Sequence, residues 1–331
     1  MDELFCRVCL PLVDEQDSLL SFLFHGVFES REELECGTID PQQGITLQMF
    51  KAFVTHFRKQ SYVFVSPNDI LSGLGTGYKY VLVSFDDGYW NNLRAIPILE
   101  EFQIPAVFFI STEHVCQGKA FWWDVVYREL RKRGRSDEIP SRLTLYKKCK
   151  TSEIEADLRR EFGARTLDPV SDLDRPLTVP ELKALAGHKL VQIGNHTKDH
   201  AILTNYSLPE VDIQIRIAQE SLAEITGRVP SVIAYPNGSE SSGIYSRARA
   251  AGLRLGIGVK SGRNRLPIVP ESMEAMSLRR FTLWGDRSID AQCRVSRSNV
   301  SMRQFLTRAR ARTSASLLSG KEQNASFAGP Q

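Results

Sequence analysis

No stretch of the 331 residues is apolar for long enough to span a membrane. No segment recurs at a fixed period, which excludes solenoids and propellers. Charge of one sign is also missing. With 42 Lys and Arg against 39 Asp and Glu, the net +3 is too small to argue for a nucleic-acid partner. The N-terminus has acids at Asp2, Glu3, Asp14, Glu15 and Asp17 but no basic segment leading into an apolar one. No signal peptide is read there, and the expected compartment is the cytoplasm. Cysteine is sparse: six are scattered along the chain, and Cys6 and Cys9 form a lone CxxC with no second pair and no thioredoxin-like βαβ pattern. Free thiols are expected rather than a zinc knuckle or a disulfide. Histidine is as scarce, with six in all and none after His200.

What is present is ordinary in bulk, 42% hydrophobic and 24% charged, as in soluble globular proteins. The length admits one large α/β barrel or two domains. The informative stretch is Tyr80–Asn92, YVLVSFDDGYWNN. Its apolar, β-branched start reads as a buried strand. The strand stops at Asp86, Asp87 and Gly88, where alternation and the turn point the two carboxylates in different directions. One can hold a metal while the other stays free to take a proton. On the dipeptide alone, a turn with solvated acids is the plainer reading. A second apolar strand, Leu190–Ile193, ends at Gly194 and is followed by His196 and His200. If a helix begins there, this i, i+4 spacing puts both imidazoles on one face. Two imidazoles and a carboxylate form an N/O site with open positions, suited to Zn²⁺ or a neighbouring first-row ion. A lone pair of this kind is more often a solvated helix face; its place at a strand end, like that of the aspartates, gives it weight.

Ser84–Gly88, SFDDG, resembles the TFDDG signature of the polysaccharide deacetylases, the NodB-homology domain of carbohydrate esterase family 4. His196–His200, HTKDH, is similar to that family's H-[ST]-x-x-H motif, and Ala234–Gly238, AYPNG, to its third motif. The three stand in the family's order, and the resemblance extends roughly from Leu20 to Leu283. It implies an α/β fold, a distorted (β/α) barrel of NodB type, with catalytic groups at the strand C-terminal ends.

The pattern along the chain suits that fold. Strands are expected at Ser18–His25, Tyr62–Val65, Ala106–Ile110, Ser231–Tyr235, Leu255–Val259 and Leu278–Leu283. Helices are expected at Thr46–Lys59, Asn92–Phe102, Leu208–Thr226 and Ser242–Ala251, and Glu29–Gly44 reads as a loop. Residues 113–189 are helical and irregular and read as an insertion over one end of the barrel. The catalytic domain is taken as residues 1–313. It closes with a basic amphipathic helix at Ser301–Thr313, and a disordered tail follows at 314–331. Such a helix can dock on an anionic membrane surface, but packing on the barrel is the preferred reading.

The resemblance also implies roles. Asp87, His196 and His200 would hold one divalent ion, with Zn²⁺ expected, and Asp86 would be the general base. The backbone N–H of Tyr235 would help bind the oxyanion; otherwise Tyr235 is a strand-end aromatic. Many family members carry an acid His in a C-terminal motif, where this chain has none. In a permuted subset resembling the poly-N-acetylglucosamine deacetylases, that His sits on the first strand, and His25 fits it. Alone, a His closing an apolar strand is more often structural. His56, His114 and His188 are read as structural. The third motif here lacks the Arg that braces the base, and Arg280 is the substitute read from the sequence, against the alternative of a surface Arg. The implied activity is metal-dependent removal of an N-acetyl or O-acetyl group from a sugar, with an acetylated carbohydrate as partner. Two other classes share these residues. A catalytically silent carbohydrate-binding relative would lack an acid or an imidazole, and this chain keeps them all. A non-haem iron oxygenase would need an antiparallel double-stranded β-helix, whereas strand and helix alternate here.

Overall fold

The computed structural model describes residue 10, residues 13–270 and residues 272–298. The helix expected at Ser301–Thr313, the tail after it and the CxxC at Cys6 and Cys9 lie outside the described residues. The strands are β1 (Ser18–Phe24), β2 (Val27–Phe28), β3 (Ile45–Thr46), β4 (Val63–Phe64), β5 (Lys79–Phe85) and β6 (Ala106–Ile110) in the first half. They continue as β7 (Val191–Asn195), β8 (Val232–Ala234), β9 (Leu255–Ile257), β10 (Asn264–Arg265) and β11 (Phe281–Thr282). The main sheet runs β10-β1-β5-β6-β7-β8-β9, with β4 also on β5 and β11 also on β1. From β1 through β5 to β9 neighbours are parallel, so their C-terminal ends share one rim. The sheet curls toward closure through residues 278–282: Leu278 bridges to Ile257 of β9, while Phe281 and Thr282 pair with Phe22 and Leu23 of β1. The result is the distorted (β/α) barrel expected.

Period-two alternation sorts the strands. Leu20, Phe22, Phe24, Val81, Val83 and Phe85 face outward under the helix Leu47–Lys59. Leu19, Leu82, Val107, Phe109, Val232 and Leu255 fill the interior. That helix starts at Thr46, whose side chain caps the Met49 N–H, and buries Phe50, Phe53, Val54 and Phe57 along one stripe. Phe53 meets Phe22 edge-on at 4.8 Å and Phe24 at 5.1 Å. Each such ring contributes roughly 1.5–3 kcal/mol by burial.

Two local expectations are corrected. The segment expected as a helix from Asn92 opens as a 3₁₀ turn, Trp90–Ala95, and becomes α-helical at Ile96–Phe102, with Pro97 in its first turn. Proline lacks the N–H that a longer preceding helix would need. The polar stretch Glu29–Gly44 holds a short helix, Arg31–Glu35, whose N-cap Ser30 accepts from the Glu33 N–H.

The residues expected as an insertion contribute to a second core cluster, in which Trp122, Val125, Val126 and Leu130 of the helix Trp122–Lys132 pack with Tyr146, Ile154 and Leu158 and with Phe28, Ile39 and Tyr89 from earlier in the chain. Buried Arg128 pins the following loop by pairing with Asp174 and donating to the Thr166 and Asp168 carbonyls. Among the described residues no helix is long and apolar enough to cross a membrane. The cysteines described, Cys36, Cys116, Cys149 and Cys293, are free thiols.

Candidate active site

The rim of parallel strand ends gathers the candidate side chains. Leu82 and Ser84 share the interior face of β5 and Asp86 follows directly after its end, where Arg280 enters from between β9 and β1. The fully buried Arg280 guanidinium grips Asp86 with two bonds, Nη1–Oδ1 at 2.7 Å and Nη2–Oδ2 at 2.8 Å. It also donates to Ser84 Oγ at 3.0 Å and to the Gly258 carbonyl at 2.8 Å. Burial pushes the Asp86 carboxyl up, but Arg280 and His196 outweigh it, and the group sits below its ordinary value as a carboxylate. Arg280 is thus buried against Asp86 rather than lying on the surface.

Asp87 turns the other way. Its φ of 77° lies in the left-handed region, followed by Gly88 at 87°, and this double turn swings the carboxylate off the strand line. A side chain on Gly88 would also meet Ile110 Cδ1 at 3.0 Å. Asp87 Oδ1 lies 3.3 Å from both His196 Nε2 and His200 Nε2.

The histidines are presented by a turn, not a helix. Thr197 (φ 65°) and His200 (φ 53°) are both left-handed, which a right-handed helix forbids. Asn195 Oδ1 accepts the Thr197 N–H at 2.8 Å, and Thr197 Oγ1 accepts the Ala201 N–H at 2.8 Å. These bonds compete with helix formation and hold the rings 4.9 Å apart. The i, i+4 spacing still brings them together, by a different backbone path.

The donor set fits a cation on its own chemistry. His196 Nδ1 lies 2.8 Å from the Ala234 carbonyl, which can only accept, so Nδ1 carries the proton and the Nε2 lone pair of the neutral ring faces the Asp87 carboxylate. Both Asp87 oxygens are buried without a hydrogen-bond partner. Acceptor facing acceptor in a dry site is unfavourable unless a positive charge lies between them. Among the described residues this is the one cluster with ligand atoms all within 4.8 Å of one another.

These groups line one cleft of about 340 Å³, together with His25, Asp40, Gln42, Gln43, Trp122, Trp123, Lys147, Asn237 and Trp284. His25 follows β1 directly and is partly buried, with its Nδ1 3.0 Å from Gln43 Oε1. Trp123, from the helix Trp122–Lys132, packs edge-on against His200 at 4.6 Å and donates from Nε1 to Tyr89 Oη at 2.7 Å. The other histidines lie outside the cleft. His114 is buried and stacked on Phe121 at 4.1 Å; burial pushes its imidazole well down, so it is neutral.

Tyr235 needs correction. Its backbone N–H donates to the Ile257 carbonyl at 3.1 Å, and its side chain is buried among Ile233, Ile244 and Tyr245. The β8–β9 pairing takes the donor that an oxyanion would need. Asn237, two residues on and at φ 55°, is the member of that motif on the cleft wall. Gln43, Trp123 and Trp284 also went unread; nothing in their local sequence marks them, since they reach the cleft only by folding.

The family model for polysaccharide deacetylases matches residues 74–256, more than half of the chain. It covers β5 through β8, whereas His25 and Arg280 lie outside the match. No curated protein matches the sequence. Among solved structures, the chain is similar to the Streptococcus pyogenes deacetylase PplD, solved with acetate, at 17% identity and a TM-score of 0.55, covering 83% of this chain and 96% of that one. It is also similar to IcaB from Ammonifex degensii, at 18% identity and a TM-score of 0.55, covering 84% and 97%. The deacetylase domain of Bordetella bronchiseptica BpsB matches at 16% identity and a TM-score of 0.52, covering 82% and 98%. These likenesses are likenesses of fold.

Proposed function

The chain belongs to the polysaccharide deacetylase family, and from that premise we propose that it is a metal-dependent hydrolase removing an acetyl group from an amino sugar of a glycan or glycan intermediate. The observation that carries the reading is the convergence, in one cleft, of the Arg280-braced Asp86, the Asp87–His196–His200 donor set and His25. That one structural neighbour was solved with acetate, the expected product, is in keeping with it.

Asp87, His196 and His200 would hold the divalent ion, with Zn²⁺ the first candidate; when bound it supplies Lewis acidity to a carbonyl oxygen and lowers the pKa of a water. The remaining work falls to the chain. Arg280 keeps Asp86 ionised and aimed, so that it can accept a proton from the attacking water. His25 gives a proton to the departing nitrogen, since an amide cannot leave as an anion at neutral pH. Trp122, Trp123 and Trp284 give the cleft aromatic walls suited to the apolar faces of a sugar ring. The iron-oxygenase alternative loses its ground, because the strands that carry the site are parallel.

Acetate release measured across N-acetylated glycans, together with metal analysis of the purified protein, tests the reading. Asp86→Asn is expected to keep the ion and lose roughly 10²–10⁴-fold in turnover. Turnover near that of the unaltered protein would remove Asp86 from the role of base, and absence of any bound divalent ion would remove the metal.

A further inference from the structure

We propose that Gln43 is a positioning residue that holds His25 as its Nδ1–H tautomer, leaving Nε2 as the nitrogen that exchanges a proton with the substrate. The orientation of the Gln43 amide is decided by its surroundings. Its Nε2 lies 2.8 Å from the Leu23 carbonyl and 3.2 Å from the Leu283 carbonyl. Neither carbonyl can donate, so the amide nitrogen must face them; a flipped amide would set oxygen against oxygen twice. Oε1 is thereby turned to His25, where it accepts the backbone N–H at 2.9 Å and lies 3.0 Å from the ring Nδ1. An amide oxygen can only accept, so Nδ1 must carry a proton in the neutral ring as well as in the cation.

The support around Gln43 is rigid. The residue is 5% exposed, and its carbonyl accepts the Gly285 N–H at 2.7 Å. Its two carbonyl partners lie beside the ends of β1 and β11, the seam where the barrel closes. Asn92 Nδ2 donates to the His25 carbonyl at 2.7 Å, which holds the backbone from the other side. A neutral amide is chemically apt here. It dictates the tautomer as a carboxylate would, because its oxygen can only accept.

The role in leaving-group protonation rests on the deacetylase reading, whereas the tautomer does not, and the experiment separates the two. Nitrogen-15 NMR of the metal-loaded protein, labelled at histidine and assigned with His25→Ala, reports which ring nitrogen of neutral His25 is protonated. Protonation at Nδ1 is expected; a neutral ring protonated at Nε2 would overturn the proposal, whatever the activity. In Gln43→Met, which keeps the side-chain length but removes the acceptor, the signals should shift toward a mixture of tautomers. Amide hydrolysis should fall about 10-fold or more, as for other groups that orient a working histidine. An activated acetate ester, whose leaving group needs no proton, should lose less. An unchanged tautomer in Gln43→Met, or equal losses on amide and ester, would overturn the positioning role. If His25→Ala hydrolyses the amide at the unaltered rate, the acid role fails, while the NMR result still decides what Gln43 does to the ring.

Discussion

Arg280 and Asp86 form a buried pair with two well-aligned hydrogen bonds, and both side chains are almost wholly removed from water. Removing one partner from such a pair leaves an uncompensated buried charge, at a cost of about 3–5 kcal/mol. Arg280→Met is therefore expected to lower unfolding free energy by that order in urea titration, besides reducing turnover. The double variant Asp86→Asn, Arg280→Met should recover part of the stability but none of the activity, because no buried carboxylate remains. A double variant as unstable as the sum of the two singles would show that the pair is not coupled. The pair was legible in the sequence only as a substitution: the third motif lacked its Arg, and a short strand near the end of the chain offered one.

At the scale of the element, the turn from Asn195 to Ala201 does what a helix was expected to do. Asn195 is its keystone. Its Oδ1 fixes the Thr197 N–H, and its Nδ2 donates to the Ile215 carbonyl and to Gln219 Oε1, each at 3.0 Å, tying the turn to the helix Leu208–Thr226. Asn195→Ala should leave the fold intact and weaken metal binding by roughly 10–100-fold, the range for groups that orient ligands. Competition against a chelator measures this, and unchanged affinity would mean the ligands hold their geometry unaided. The spacing of His196 and His200 was readable because four residues bring two side chains together in a turn as well as in a helix. The left-handed turn that chooses between them is held by Asn195, whose own side chain is anchored by Ile215 and Gln219, 20 and 24 residues further on.

Across the molecule, the two ends of the described chain are stitched together. Arg297, in the helix Ile289–Ser298, reaches Glu15 with Nε at 2.8 Å and Nη2 at 3.0 Å, and the Tyr62 hydroxyl donates to the same carboxylate at 2.6 Å. Burial pushes the Glu15 carboxyl up, but bonds from Arg297 and Tyr62 outweigh it and hold it below its ordinary value. A carboxyl depressed in the folded state binds its proton more readily in the unfolded chain. Its contribution is full above the unfolded pKa of about 4.3 and fades as pH falls through the lower folded value. Glu15→Gln should cost about 1 kcal/mol at neutral pH, the scale of one intramolecular hydrogen bond. The difference from the unaltered protein should vanish in strong acid, as thermal melts across pH will show. A constant difference at all pH values would assign the effect to packing rather than charge.

The sequence by itself determined the core strands β1 and β4 to β9, the order of the motifs and the placing of Asp86, Asp87, His196 and His200 at strand ends, because each signal is local: an apolar run that stops, adjacent acids, imidazoles four apart. It also pointed to His25 and Arg280, though only through what the chain lacked elsewhere. Tertiary structure decided the rest. Whether the Tyr235 N–H is free depends on a partner strand over 20 residues away, and β9 takes it. Whether Gln43 matters depends on the carbonyls beside the ends of β1 and β11, which meet only when the barrel curls shut. Hydrogen bonds are satisfied by whatever the fold brings within about 3 Å, and that neighbourhood is not written in any short stretch of chain.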